Sequence, residues 1–283
     1  MKIRVIAPIV DPSPTLDLRS IIEKEIVEVA APDAEISLVF LDKDKGPASI
    51  ESRHEEFLSI ASIIEKAQEA QGDGIDGIFI DCFAEPGVGV VRELVDIPVV
   101  GGFDPAVLMA KLVCQKFSIV TVEERVNPII EDETRRLGIM DNLVSIRDLD
   151  IPVLDLKPEE IRDALVEHSV QAIKQDGAQA IVLGCTGMLD VAKAVEKKLS
   201  TYKEKGDEQR SFSVPVIDPT TAAITTLQSL IRMQLSQSRL AYYKSELKTE
   251  QPGAETPLKG SDMLLGTSPR ASTIRTWCFK DEK

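Results

Sequence analysis

The sequence predicts an α/β protein of two pseudo-symmetric lobes, each a parallel sheet flanked by helices, with a cleft between them. Three observations predict it. Short β-branched runs alternate with stretches of helical periodicity, the pattern of βαβ units whose strands lie parallel and are covered on both faces. Three of those runs recur in the same order about 110 residues later: KIRVIAP from Lys2 with KFSIVTV from Lys116, GIDGIFIDC from Gly74 with GAQAIVLGC from Gly177, and IPVVG from Ile97 with VPVID from Val214. The second pair places Cys82 and Cys185 each eight positions after a glycine.

Taken in order, the first copy opens with a strand from Lys2 that stops at Pro8. A helix is predicted over Thr15 to Ala30, where Leu16, Ile22, Ile26 and Val29 fall near helical spacing. Glu35 to Leu41 reads as the second strand, Asp42 to Ser49 as a loop, Ile50 to Ala70 as a long amphipathic helix and Ile75 to Asp81 as the third strand. After Cys82 come a Pro/Gly turn, a short helix over Val88 to Val95, a fourth strand over Ile97 to Gly101 and a helix over Asp104 to Val113.

The second copy begins with the strand Lys116 to Val122, followed by a helix from Asn127 to Leu137 that Gly138 ends. A strand over Leu143 to Leu149 and a helix over Glu159 to Gln175, opened by Pro158, lead to GAQAIVLGC. A helix over Leu189 to Leu199, a charged loop from Lys203 to Arg210, the strand Val214 to Asp218 and a last helix to about Leu240 complete it. Each lobe is thus flavodoxin-like, and ligands of such sheets bind at the carboxyl ends of the strands. The expected division is 1–103 with 218–243 in one lobe and 104–217 in the other. Residues 244–283, rich in Glu, Thr, Ser, Pro and Lys, read as a disordered tail.

The chain has 283 residues, 43% of them hydrophobic, which is enough for a substantial core, and a net charge of -14. That charge opposes any general grip on nucleic acid or an anionic membrane surface, so neither is an expected partner. No run approaches the roughly 18 apolar residues of a membrane span, and the amino terminus lacks a secretory pattern, so a soluble cytoplasmic protein is expected. Four cysteines without a CxxC pair, beside only two histidines, fit neither a disulfide framework nor a zinc site. No metal and no cofactor are expected, and no glycine-rich phosphate loop is present.

A lone cysteine after an apolar strand is ordinarily a small buried hydrophobe. Two at matched strand ends point elsewhere. Each precedes a turn and a helix, where backbone N–H groups and the helix dipole favour a thiolate. A thiolate on one side of a carbon can remove its proton while a thiol on the other side delivers one, so the stereocentre inverts. Cys114, after LMAKLV, reads as packing, Cys278 has no counterpart, and His54 and His168 fall in helices away from strand ends. Glu51, Glu55, Glu56, Arg135 and Arg136 read as solvated helix faces.

Cys82-Phe83-Ala84-Glu85-Pro86-Gly87, Arg92-Glu93-Leu94, Ile97 to Gly101 and Gly184-Cys185-Thr186 together resemble the aspartate/glutamate/hydantoin racemase superfamily, nearest its hydantoin and allantoin racemase branch. The resemblance covers about residues 2 to 240. It implies a cofactor-independent racemase acting on a small molecule, with Cys82 and Cys185 as the acid/base pair and a homo-oligomeric assembly. It implies substrate contacts from Pro8 and Thr121 at the ends of equivalent strands, from Phe83, Pro86 and Gly87 in the pocket wall, and from Gly184, Thr186 and Gly187 toward a carbonyl whose charge rises as the proton leaves. The branch carries Asn-Pro-Asn-Thr where this chain reads Ala7-Pro8-Ile9-Val10, so both asparagines are missing. An amino-acid racemase, an isomerase or decarboxylase of the superfamily, and a non-catalytic binding protein are the alternatives.

Overall fold

The computed structural model describes residues 1–11, 18–188, 190–202 and 213–244. The charged loop Lys203 to Arg210, the tail beyond Lys244 with Cys278, and the first turn of the first expected helix lie outside the described residues.

The strands are β1 (Lys2–Val10), β2 (Glu35–Leu41), β3 (Gly77–Ile80), β4 (Val99–Val100), β5 (Phe117–Thr121), β6 (Leu143–Asp148), β7 (Ala180–Leu183) and β8 (Val216–Ile217). They form two parallel sheets with one topology, β2-β1-β3-β4 and β6-β5-β7-β8. The repeat legible in the sequence survives as register. Ile3 pairs with Gly77 and Ile78 with Val99 in the first sheet; Phe117 pairs with Ala180 and Ile181 with Val216 in the second. Cys82 and Cys185 therefore leave their strands at equivalent heights.

β4 and β8 are shorter than expected, and the cause is the same in both. Ile78 and Ile181 donate to the carbonyls of Pro98 and Pro215 at 2.9 Å, but a proline has no N–H to return to the ladder.

The helices are α1 (Leu18–Val29), α2 (Arg53–Gly72), α3 (Val88–Leu94), α4 (Phe103–Val113), α5 (Asn127–Arg136), α6 (Pro158–Gln171), α7 (Ala192–Thr201) and α8 (Pro219–Arg232). Ser52 caps α2, accepting from the Glu55 N–H at 3.3 Å, while the Glu55 carboxylate accepts from the Glu51 N–H at 2.8 Å. A π-turn, Ala172–Asp176, extends α6 until Gly177, at φ 77°, turns the chain into β7.

α8 packs on β3, β4 and α1, α4 packs on β7 and β8, and the two helices pack on each other. Gly77 lets α8 approach the sheet: a Cβ there would sit 2.8 Å from Leu227 Cδ1 and 2.9 Å from Ile231 Cδ1. α8 ends at Arg232, short of the expected Leu240. The chain beyond it folds back so that Gln237 donates to the Ile97 carbonyl at 3.0 Å and Arg239 to the Arg92 carbonyl at 2.8 Å. Among the described residues no helix is long and apolar enough to cross a membrane.

Candidate active site

Cys82 and Cys185, one from each sheet, line a single cavity of about 210 Å³ at the carboxyl ends of β1, β3 and β7. Both are free thiols and half-buried. Their settings repeat. The N–H two residues on, Ala84 for Cys82 and Gly187 for Cys185, turns back toward each sulfur, and Gly187 N lies 3.3 Å from Cys185 Sγ.

The expectation that these positions favour thiolates is corrected by burial. Desolvation pushes the Cys185 thiol up to about 12, against the Gly187 N–H and with the charges of Asp81 and Glu51 adding to the rise. Desolvation likewise pushes the Cys82 thiol well above its ordinary value, opposed by the Ala84 N–H and reinforced by Cys185, Asp81 and Glu56. Helix dipoles do not reverse this. α3 and α7 begin at Val88 and Ala192, several residues beyond the sulfurs, and the dipole effect fades within a turn.

Of the residues expected to meet a substrate, Pro8, Phe83, Gly184, Thr186 and Gly187 line the cavity. Phe83 meets Phe103 edge to face at 5.2 Å, forming one wall. The Thr186 hydroxyl donates across the lobes to the Asp81 carbonyl at 3.3 Å. Thr121, Pro86 and Gly87 stand back from the cavity. Thr121 is fully buried and its hydroxyl donates to the Gly184 carbonyl at 3.2 Å. Pro86 and Gly87 form the turn into α3, with Gly87 at φ 70°. Ile9, from the segment that lacks the branch's asparagines, faces the cavity instead, as do Ile50, Ile129 and Leu154, which no pattern in the sequence marked.

Glu85, Gly101, Gly102 and Arg92, from the motifs around Cys82, hold the backbone of the site in place. The buried Glu85 carboxylate accepts from the Asp104 N–H at 2.8 Å, holding the first turn of α4. Gly101 makes room for it, since a Cβ there would lie 2.4 Å from Glu85 Cγ. Gly102 donates to the Cys82 carbonyl at 3.1 Å, and its own Cβ would sit 3.0 Å from that oxygen. Arg92 binds the Val99 carbonyl at 3.0 Å and stacks on Tyr242.

Three residues read as solvated do structural work. Glu51, whose side chain is buried, ties the lobes together at the cleft mouth by pairing with Arg125 and accepting from the Val153 N–H. Glu55 serves the α2 cap, and Arg136 bridges Glu85, Asp104 and Glu133. Oxygen atoms of those three carboxylates converge within 4.8 Å, and the Arg136 guanidinium pairs with each of them. Cys114 caps α4, its thiol donating to the Ala110 carbonyl at 3.1 Å.

Burial also raises several carboxyls. Desolvation, with Asp218 adding, lifts Glu25 to about 8; desolvation, with Asp104 adding, lifts Glu85 to about 8; desolvation lifts Asp81 to about 7 against a hydrogen bond from Thr186. A carboxyl raised in the folded state contributes stability that is full below its unfolded pKa and is lost as pH climbs through the folded one. Carboxyls held low by Lys or Arg, such as Asp42 and Asp96, act only at acid pH. The urea midpoint is therefore expected to fall between about pH 5.5 and about pH 8.5. A midpoint that rises over that range contradicts the assignment.

A family model described as Asp/Glu/Hydantoin racemase matches residues 9–227. The chain is 34% identical over 256 residues to a hydantoin racemase of Pseudomonas sp. (strain NS671), covering 90% of this chain and 95% of that one. Among solved structures, an allantoin racemase from Klebsiella pneumoniae superimposes with a TM-score of 0.76 at 30% identity, covering 89% of this chain and 97% of that one. An allantoin racemase from Pseudomonas fluorescens gives a TM-score of 0.76 at 27% identity, covering 89% and 100%.

Proposed function

The chain belongs to the Asp/Glu/hydantoin racemase family, and from that premise we propose that it racemises 5-substituted hydantoins bearing an apolar substituent, with Cys82 and Cys185 as alternating acid and base. One thiolate takes the C5 proton and the other thiol returns a proton to the opposite face. The observation that carries this reading is the pair of equivalent thiols, one from each sheet, on one apolar cavity.

The cavity's charge supports the substrate. Among the described residues its acidic and basic side chains, the thiols aside, are Asp81, Glu133 and Lys157. Glu133 pairs with Arg136 at 2.5 Å, and Lys157 pairs with Glu160 while remaining mostly exposed. A carboxylate substrate would enter without a buried cation to offset its desolvation. A hydantoin ring is neutral, and Ile9, Ile50 and Leu154 suit an apolar substituent rather than the ureido group of allantoin. Burial of the thiols is compatible with the role, because each needs to ionise only as the other stays protonated. The division of the chain into 1–103 with 218–243 and 104–217 belongs to the same proposal, supported by α8 packing on the first sheet and α4 on the second.

Racemisation of allantoin is the second reading, favoured by the two solved relatives. A polarimetric screen of 5-benzylhydantoin, 5-isobutylhydantoin, allantoin and aspartate separates the readings. The expected kcat/KM for the two apolar hydantoins exceeds that for allantoin by at least about tenfold, on the order of the 1–3 kcal/mol a mismatched pocket group costs. Preferred turnover of allantoin or aspartate would overturn the substrate assignment.

A further inference from the structure

Asp81 lines the cavity directly before Cys82 and is 7% exposed. Strand alternation would turn it away from its neighbour. The chain leaves β3 at Ile80, however, and Asp81 and Cys82 both line the cavity. Its N–H donates to the β1 carbonyl of Ile6 at 2.9 Å, yet its Oδ1 is buried without a hydrogen-bond partner.

The groups around it are of one sign. α1 presents Glu25, whose Oε2 is also buried and unpartnered. The amino terminus of α8 presents Asp218, and the segment after β7 presents Cys185, Thr186 and Asp190. Glu56 on α2 faces Cys82, and Glu51 faces Cys185. Among the described residues no basic side chain pairs with Glu25, Asp81 or Asp218.

We propose that Asp81 is a positioning residue for both thiols: lining one cavity with Cys82 and Cys185, its Oδ1 buried without a partner, it is neutral in the active protein, and its ionisation suppresses both thiolates. Its meaning for catalysis rests on the proposed acid/base use of the thiols; its effect on their ionisation does not. A carboxylate beside a thiolate costs the thiolate by like-charge repulsion, and the low-dielectric site strengthens the effect. The burial of Asp81, with the neighbouring charge of Asp218 adding, places that ionisation at about 7. The thiolate fraction therefore grows less steeply as pH rises through that point, against the thiols' own titration.

The test is the rate at which iodoacetamide alkylates Cys82 and Cys185, read by peptide mass spectrometry from about pH 6 to about pH 9. In the native protein the rise in rate with pH flattens above about 7 as Asp81 ionises. Asp81→Asn keeps the shape and removes the charge. Its rates are expected to match the native protein at about pH 6 and to exceed it about tenfold at about pH 8.5, one pKa unit of relief. Asp218→Asn retains a capping oxygen for α8 and should move the flattening to lower pH, since removing that charge lets Asp81 ionise earlier.

Parallel pH profiles for native and Asp81→Asn proteins, a uniform loss at every pH, or an unmoved inflection in Asp218→Asn overturns the proposal. If Asp81→Asn does not fold, the Asp218→Asn inflection decides it. Hydantoin turnover is measured on the same samples. Absent turnover in the native protein removes the racemase reading while the alkylation profiles still judge Asp81.

Discussion

Cys185→Ser is expected to lower kcat/KM for hydantoin racemisation by at least about a thousandfold, and Cys82→Ser by a comparable factor, within the range that general acid–base groups supply. A serine hydroxyl nearly matches the thiol in shape but ionises far less readily, so the base is lost while the packing is kept. The Cys185 sulfur accepts from the Gly187 N–H at 3.3 Å in the structure, and serine oxygen can accept the same bond. Circular dichroism and thermal midpoints should therefore be near native in both variants. The diagnostic is solvent deuterium entering C5. Each variant should retain exchange chiefly in the enantiomer whose proton faces the surviving thiol, and the two variants should differ in which enantiomer that is. Native-rate exchange in both enantiomers by either variant would rule out the paired mechanism.

Gly184→Ala is the second large effect, and it reaches the site through the backbone. An alanine Cβ at 184 would lie 2.8 Å from Thr121 Cβ, 2.9 Å from Ile119 Cγ2 and 3.0 Å from Thr121 Cα. These atoms belong to β5 in a fully buried layer, so relief requires the end of β7 to move away, carrying Cys185 with it. Overpacking of this kind costs about 1–3 kcal/mol, which lowers the thermal midpoint by several degrees in a protein of this size. Displacing the thiol by a fraction of an ångström to an ångström costs up to about a hundredfold in kcat. Gly89→Ala is the contrast: it sits on α3 with nothing within 4 Å of the new Cβ, and should be neutral or slightly stabilising. Equal effects of the two substitutions on midpoint and kcat would show that the close approach of β7 to β5 is not what Gly184 serves.

The two-sheet architecture was legible because it is written locally. Buried parallel strands are continuous apolar runs, and a duplicated unit repeats its runs in order whatever happens in the loops. The cysteine pair was legible for the same reason, since Gly77 and Ala180 hold the same register and both thiols follow five residues on. What escaped the sequence depends on distant partners. Glu51 resembled a solvated helix residue until Arg125 and the Val153 N–H met it from the other lobe. Thr121 sits where a substrate contact was expected, but the neighbouring strand's Gly184 carbonyl takes its hydroxyl. Asp81 stands next to Cys82 in the chain, whereas Glu25 and Asp218 act on it from α1 and the start of α8, far away in the chain. Nor does a motif announce desolvation. The glycines and proline around Cys82 specify a turn, and how dry that turn becomes is decided by the opposite lobe.

The equal register of the two sheets bears on the kinetics of mirror images. Enantiomers have equal free energies in an achiral solvent, so the reaction's equilibrium constant is unity and kcat/KM must be the same in both directions. That equality binds any racemase whatever its symmetry; a protein built of two sheets of one topology in addition presents each hand of the substrate with a similar set of backbone supports. Its halves are not identical: β1 delivers Pro8 and Ile9 to the cavity, whereas the chain after β5 delivers Val122. That difference can surface only as compensating changes, a hand that binds more tightly turning over more slowly by the same factor.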